Sequence, residues 1–189
     1  MALTYSRPGD LGSTAPSFSL KGVSPQGVSQ FQLSDFDHTK VLVVVFMCNH
    51  CPYVIAVQDR ISRLAREYAS KGVQLIGISS NDASRYLDDS FEEMQKRSAE
   101  MKFAFPYLYD ESQEVAKAYG AVCTPEFYAY QNAGNGQFLL EYKGRLDDSW
   151  KDEKAVTRRE LAEALDQILA GVKLNPDQKP AMGCSIKWK

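Results

Sequence analysis

The chain has 189 residues and sets 22 Lys and Arg against 24 Asp and Glu, a net charge of −2. Its basic residues are scattered rather than striped, which argues against a nucleic-acid surface, and no apolar run reaches the ~20 residues of a membrane span. Four cysteines are too few for a disulfide-stapled secreted scaffold. Residues 1–10 show neither an apolar signal core nor a small-residue cleavage site. A cytoplasmic protein is therefore expected, with neither nucleic acid nor membrane as partner, and the length fits one domain over 1–189.

Residues 1–16 lack periodicity and contain Pro8, Gly9, Gly12 and Pro16, so they read as an irregular lead-in. Residues 18–21 and 28–33 alternate at period two around Ser24, Pro25, Gln26 and Gly27, which predicts an N-terminal hairpin. A polar connection over 34–40 carries His38 towards solvent. Residues 41–46 are a continuous apolar run rich in valine, the pattern of a strand buried on both faces. Directly after it come Cys48, Asn49, His50, Cys51 and Pro52. Pro52 suits the first turn of a helix or kinks one already started at Cys48, and Val54, Val57, Ile61, Leu64 and Tyr68 give that helix one apolar stripe, with Gly72 as its C-cap.

Residues 73–79 predict a second buried strand, laid parallel to the first by a right-handed crossover. Residues 82–101 are mostly polar, with Phe91 and Met94 as a thin apolar face, and read as a peripheral helical insertion whose charges are solvated. A short strand over 105–109 has Pro106 near its start, and a helix over 112–119 should stop at Gly120. Cys123, Thr124 and Pro125 then precede two strands, 126–130 and 137–142, joined as a hairpin by the Gly/Asn-rich turn 132–136. Thr157 and Glu160 have capping-box spacing ahead of Leu161, Leu165, Ile168 and Leu169, and Gly171 closes this last helix. The tail 172–189 reads as irregular and contains Cys184, Ile186 and Trp188. Both apolar residues are expected to pack on the body, which either brings Cys184 to the centre as a third thiol or leaves it an incidental part of the anchor; the anchor reading is the favoured one, and a Cys184 disulfide is not expected. The fold class is α/β.

Two cysteines three positions apart, delivered by a buried strand to a helix start, are the arrangement of a redox centre. Unpaired N–H groups at a helix N-terminus favour thiolate over thiol. On this reading Cys48 is the nucleophile with a lowered pKa, and Cys51 resolves the mixed disulfide formed on it. His50 either assists as a nearby partial cation or points to solvent. No cofactor is required. The same sulfurs support a metal-binding alternative through Cys48, Cys51, Cys123 and Cys184, with His50 as a further donor, although a second closely spaced pair is missing.

The order strand, Cys-x-x-Cys, helix, strand, Thr-Pro, hairpin, helix resembles the thioredoxin-like superfamily. The N-terminal hairpin, the insertion near 82–104 and the segment 110–125 are similar to its peroxiredoxin-like branch, the alkyl hydroperoxide reductase and thiol-specific antioxidant (AhpC/TSA) type. Residues 46–54, 142–148 and 183–188 resemble a redoxin-domain group within that branch. The resemblance implies a thioredoxin-like fold: a central mixed sheet flanked by helices, with the hairpin in front and the insertion after the first βαβ unit. It further implies that Pro125 is a cis-proline facing the Cys-x-x-Cys, leaving the Thr124 backbone to pair with an extended substrate.

The chain departs from the family's patterns at informative places. The hydroxyl that stands three residues before the peroxide-attacking cysteine of peroxiredoxins is replaced by Val45, counting from Cys48, or by Cys48, counting from Cys51. The buried acid that thioredoxins place six residues before their first cysteine is Leu42 here. The expected activity is thiol–disulfide oxidoreduction on a protein or small-molecule disulfide, with a thiol electron donor. A thiol peroxidase is the alternative, and a non-enzymatic metal module the second alternative. Cys123 reads as a small buried hydrophobe near the site, and Arg145 as a thiolate-stabilising cation or as part of a surface cluster with Asp147 and Asp148.

Overall fold

In the computed structural model, which describes residues 3–189, strand β4 (Val41–Phe46) is the axis of the molecule. Its six residues are at most 1% exposed. Alternation along a strand sends Val41, Val43 and Val45 to one face and Leu42, Val44 and Phe46 to the other, and each trio nucleates its own apolar layer. The continuous apolar run therefore reflects a sheet covered on both sides.

β4 pairs in parallel with β5 (Val73–Ser79) and antiparallel with β8 (Glu126–Gly134). With β2 (Ser19–Ser24), β3 (Gly27–Gln32), β6 (Tyr107–Tyr109) and β9 (Gln137–Gly144), they form a mixed seven-stranded sheet in the order β3-β2-β6-β5-β4-β8-β9. The layer on Val41, Val43 and Val45 takes residues from α2 (Gln58–Ala69), α3 (Phe91–Glu100) and α5 (Glu160–Leu169). The opposite layer takes Val115 and Ala116 of α4 (Glu114–Ala118), with Tyr119, Tyr128, Phe138 and Ile186. This is the expected α/β architecture, with the hairpin and the insertion where the sequence put them. Among the described residues no helix is long and apolar enough to cross a membrane.

Several expectations need correction. The lead-in is not wholly irregular, and neither is the tail: β1 (Leu3–Tyr5) and β10 (Met182–Ser185) join β7 (Cys123–Thr124) in a second, three-stranded sheet, β1-β10-β7. Short strands of this kind carry too few residues to show a period. The helix after the cysteines is two helices, α1 (Pro52–Ile55) and α2, because a tightened turn from the Val57 N–H to the Val54 carbonyl interrupts the axis. α2 ends at Ala69, so Gly72, at φ +88°, serves the turn into β5 rather than the cap. The capping box does not form either. Thr157 gives both its N–H and its hydroxyl to Asp148, Glu160 turns to Arg145, and α5 starts only at Glu160.

Trp188 is 39% exposed and does not pack as expected, whereas Ile186 is buried. What fixes the end of the chain is polar. The Lys187 N–H donates to Asn81 Oδ1 at 2.8 Å, the Asp82 N–H to the Lys187 carbonyl at 2.8 Å, and Gln113 Nε2 to that same carbonyl at 2.9 Å.

Candidate active site

β4 ends at Phe46, the Met47 N–H continues its pairing to the Ile78 carbonyl, and the chain then turns so that Cys48 and Cys51 both lie inside. Their side chains hydrogen-bond to each other. The helix-terminal position expected for Cys48 belongs to Cys51, the N-cap of α1, with Pro52 as the first helical residue. Over this pair sits the Thr124–Pro125 peptide, which is cis. Thr124 Oγ1 is 3.5 Å from Cys48 Sγ, and the Thr124 carbonyl oxygen is 3.2 Å from Cys51 Sγ. Buried Glu126 steadies that loop, accepting from the Val122 N–H at 2.8 Å and pairing with buried Lys143 at 3.2 Å.

The surroundings separate the two sulfurs. Cys51 is drawn down from an ordinary 9.0 to about 5, first by the hydrogen bond from Cys48, then by Cys184, the Thr124 hydroxyl and the Val54 N–H, against the cost of burial. Cys48 goes the other way: its proton is held by the hydrogen bond to Cys51, by burial and by the Asp89 charge. The Thr124 carbonyl contact suits a protonated Cys51, but it is one acceptor against several donors. Of the two sulfurs, Cys51 is the one these neighbours draw towards thiolate. Replacing Thr124 with valine should raise the Cys51 pKa, seen as an upward shift in the pH profile of its alkylation, while an unmoved profile would remove the hydroxyl from this account.

The insertion contributes a residue that sequence reasoning missed. Asp89 is fully buried, although its segment reads as solvated surface. Its carboxylate accepts from the Asn49 N–H at 2.7 Å and from Asn81 Nδ2 at 2.8 Å, and lies 2.6 Å from His50 Nδ1. Asn49 in turn accepts from the Tyr107 hydroxyl at 3.2 Å. His50 thus neither points freely to solvent nor acts as an uncompensated cation beside Cys48. It is paired to Asp89 and stacked on Tyr86, ring centres 5.1 Å apart.

The hydrogen bond to Asp89 raises the His50 pKa above 6.5, and Asp89 is held below 3.8, burial opposing its hydrogen bonds from His50 and Asn81. A raised histidine stabilises the fold fully below its ordinary 6.5 and loses that contribution as pH rises through the raised value. A lowered carboxylate contributes above 3.8 and loses it as pH falls through the lowered value. The melting-temperature gap between the wild type and His50→Gln should therefore be widest between these bounds and shrink as pH rises through the raised His50 value. A gap independent of pH would contradict the pairing.

Of the remaining predicted residues, Cys184 comes to the centre and Cys123 does not. In the β7–β10 pairing Cys184 stands opposite Thr124, and Ser185 opposite Cys123. Paired residues share a face, so Cys184 points with Thr124 towards Cys51, to which its side chain hydrogen-bonds, while Cys123 points away beside Glu126. Of the two readings of Cys184, this register favours the third thiol over the mere anchor. The four sulfurs do not converge for a metal. Among the described residues, the donors that approach one another within 4.8 Å are Cys48, His50 and Asp89. Arg145 turns its Nε to Glu160 at 2.9 Å and lines a cavity of about 280 Å³ with Pro125, Trp150 and Met182. Pro52 is the first residue of α1, so it starts that helix rather than kinking one begun at Cys48.

The AhpC/TSA family model matches residues 11–149. An uncharacterized conserved protein from Geobacillus kaustophilus is 44% identical, with 100% of this chain and 97% of that one covered and a TM-score of 0.90. A hypothetical protein from Sinorhizobium meliloti is 36% identical, with 98% of each chain covered and a TM-score of 0.88. A secreted disulfide oxidoreductase from Mycobacterium tuberculosis shares the fold at 18% identity, covering 82% of this chain and 96% of its own, with a TM-score of 0.54. No curated protein matches the chain.

Proposed function

The chain belongs to the AhpC/TSA family, and on that premise we propose that it is a thiol–disulfide oxidoreductase whose dithiol is Cys48 and Cys51. The observation that carries this reading is the hydrogen-bonded pair of sulfurs at the start of α1 beneath the cis Thr124–Pro125 peptide. The Cys51 thiolate attacks one sulfur of a substrate disulfide, and the other substrate sulfur leaves as a thiol. Cys48 then attacks Cys51 in the mixed disulfide and releases the second thiol, so that two electrons and two protons pass to the substrate. A thiol donor outside this chain restores the dithiol. The order of attack is the reverse of the one expected from sequence, because Cys51 rather than Cys48 stands at the N-cap position of α1 and is drawn towards thiolate.

The test is oxidation of the reduced protein by a small disulfide, followed by thiol counting and peptide mapping. Loss of two thiols with a Cys48–Cys51 bridge is expected. A folded protein that keeps both thiols alkylatable would defeat the proposal.

A second reading, reduction of hydroperoxides, is favoured by one contact. Thr124 supplies a hydroxyl beside the sulfurs from another element, although none stands three residues before either cysteine. The Cys51 thiolate would take one peroxide oxygen as a sulfenic acid, releasing alcohol or water, and Cys48 would displace that oxygen as water. That hydroxyl serves Cys48 and Cys51 rather than an approaching peroxide. Stopped-flow oxidation by hydrogen peroxide is accordingly expected to be slow. Rapid, saturating consumption would make peroxidase the main activity.

A further inference from the structure

Cys184 is placed too deliberately for an incidental thiol. β10 is held at both ends: the Ala181 N–H donates to Ser6 Oγ at 2.8 Å, and the Ile186 N–H to the Val122 carbonyl at 3.1 Å. Its backbone lies so close to β7 that a Cβ on Gly183 would fall 1.9 Å from the Thr124 carbonyl oxygen. Only glycine permits this approach, and the approach brings Cys184 into register with Thr124. α1 packs against the same strand. Cys184 is 2% exposed, and its side chain hydrogen-bonds Cys51, the sulfur drawn towards thiolate. The free edge of Thr124, where an extended substrate would pair, is thus taken by the chain's own strand. Cys184 stands where the thiol of such a substrate would stand.

We propose that Cys184 is a third redox-active thiol, which exchanges internally with the oxidised dithiol to convert the Cys48–Cys51 disulfide into a Cys51–Cys184 disulfide. The inference rests on the reading of Cys48 and Cys51 as the dithiol. In the exchange Cys184 gives up its proton and its sulfur bonds to Cys51. The Cys48–Cys51 bond breaks, and Cys48 leaves with the electron pair and receives a proton. No external oxidant or reductant is consumed, and the protein remains oxidised by two electrons. The chemical result is a released Cys48 thiol beside His50.

The experiment uses the full chain, oxidised with a limiting small disulfide, acid-quenched, alkylated and peptide-mapped. In the wild type, Cys51 is expected in bridges to both Cys48 and Cys184. In Cys48→Ser, Cys51–Cys184 should be the dominant bridge. In Gly183→Ala, which forces β10 off Thr124, the Cys51–Cys184 share should fall at least about tenfold while Cys48–Cys51 persists. Complete alkylation of Cys184 in both the wild type and Cys48→Ser, with Cys48–Cys51 formed in the wild type, would overturn the proposal and leave the dithiol reading intact. Absence of any bridge to Cys51 in the wild type would overturn both. The Cys48→Ser result decides the question even if Gly183→Ala does not fold.

Discussion

Cys51→Ser is expected to reduce turnover with a small disulfide by roughly three orders of magnitude or more, the scale on which loss of an activated nucleophile is felt. Cys51 stands at the N-cap position of α1, and it alone of the two active cysteines is drawn towards the thiolate. Cys48→Ser should lower turnover for another reason, because the first attack survives and the usual resolving thiol is gone. If Cys184 exchanges as proposed, it resolves the mixed disulfide in place of Cys48. The variant that accumulates substrate on Cys51 should then be the double replacement Cys48→Ser, Cys184→Ser. Intact-mass measurement after one addition of disulfide distinguishes these states. Accumulation on Cys48 in Cys51→Ser, with no accumulation on Cys51 in the double variant, would restore the order in which Cys48 attacks first.

The central βαβ unit was legible because its signals are long. Six consecutive apolar residues, a five-residue helical stripe and a second apolar strand leave little choice of element or pairing. Cys48 and Cys51 were legible for a similar reason, since their spacing is itself the signal. Cys184 as the preferred partner was not, because a strand of four residues has no period to read, and its register depends on a glycine contact across space. The helix start was displaced from Cys48 to Pro52 by the turn through Asn49 and His50, which the Asp89 carboxylate stabilises. Asp89 itself stood among acidic neighbours in a polar stretch. Its burial comes from three donors on two other segments, a property of tertiary structure that no local pattern encodes.

Asp89→Ala should be the most costly polar substitution near the centre. It removes an acceptor fully out of water, and leaves the Asn49 N–H, His50 Nδ1 and Asn81 Nδ2 without the partner each now has. Removing one member of a buried pair costs about 3–5 kcal/mol, which in a chain of this size lowers the melting temperature by roughly 6–20 °C. The effect reaches beyond the pair, because Asn81 also receives the Lys187 N–H and so ties Asp89 to the segment that follows β10. The wild type's advantage should shrink as pH falls through the lowered Asp89 pKa, below its ordinary 3.8, where the carboxylate takes a proton and the native pair is lost. Asp89→Asn separates charge from shape. It retains a carbonyl acceptor, removes the negative charge that raises Cys48, and should move the Cys48 alkylation profile to lower pH while destabilising less than alanine. A thermal unfolding midpoint for Asp89→Ala within 2 °C of the wild type, at a pH where Asp89 is ionised, would show that the carboxylate does not hold the segment between the two cysteines.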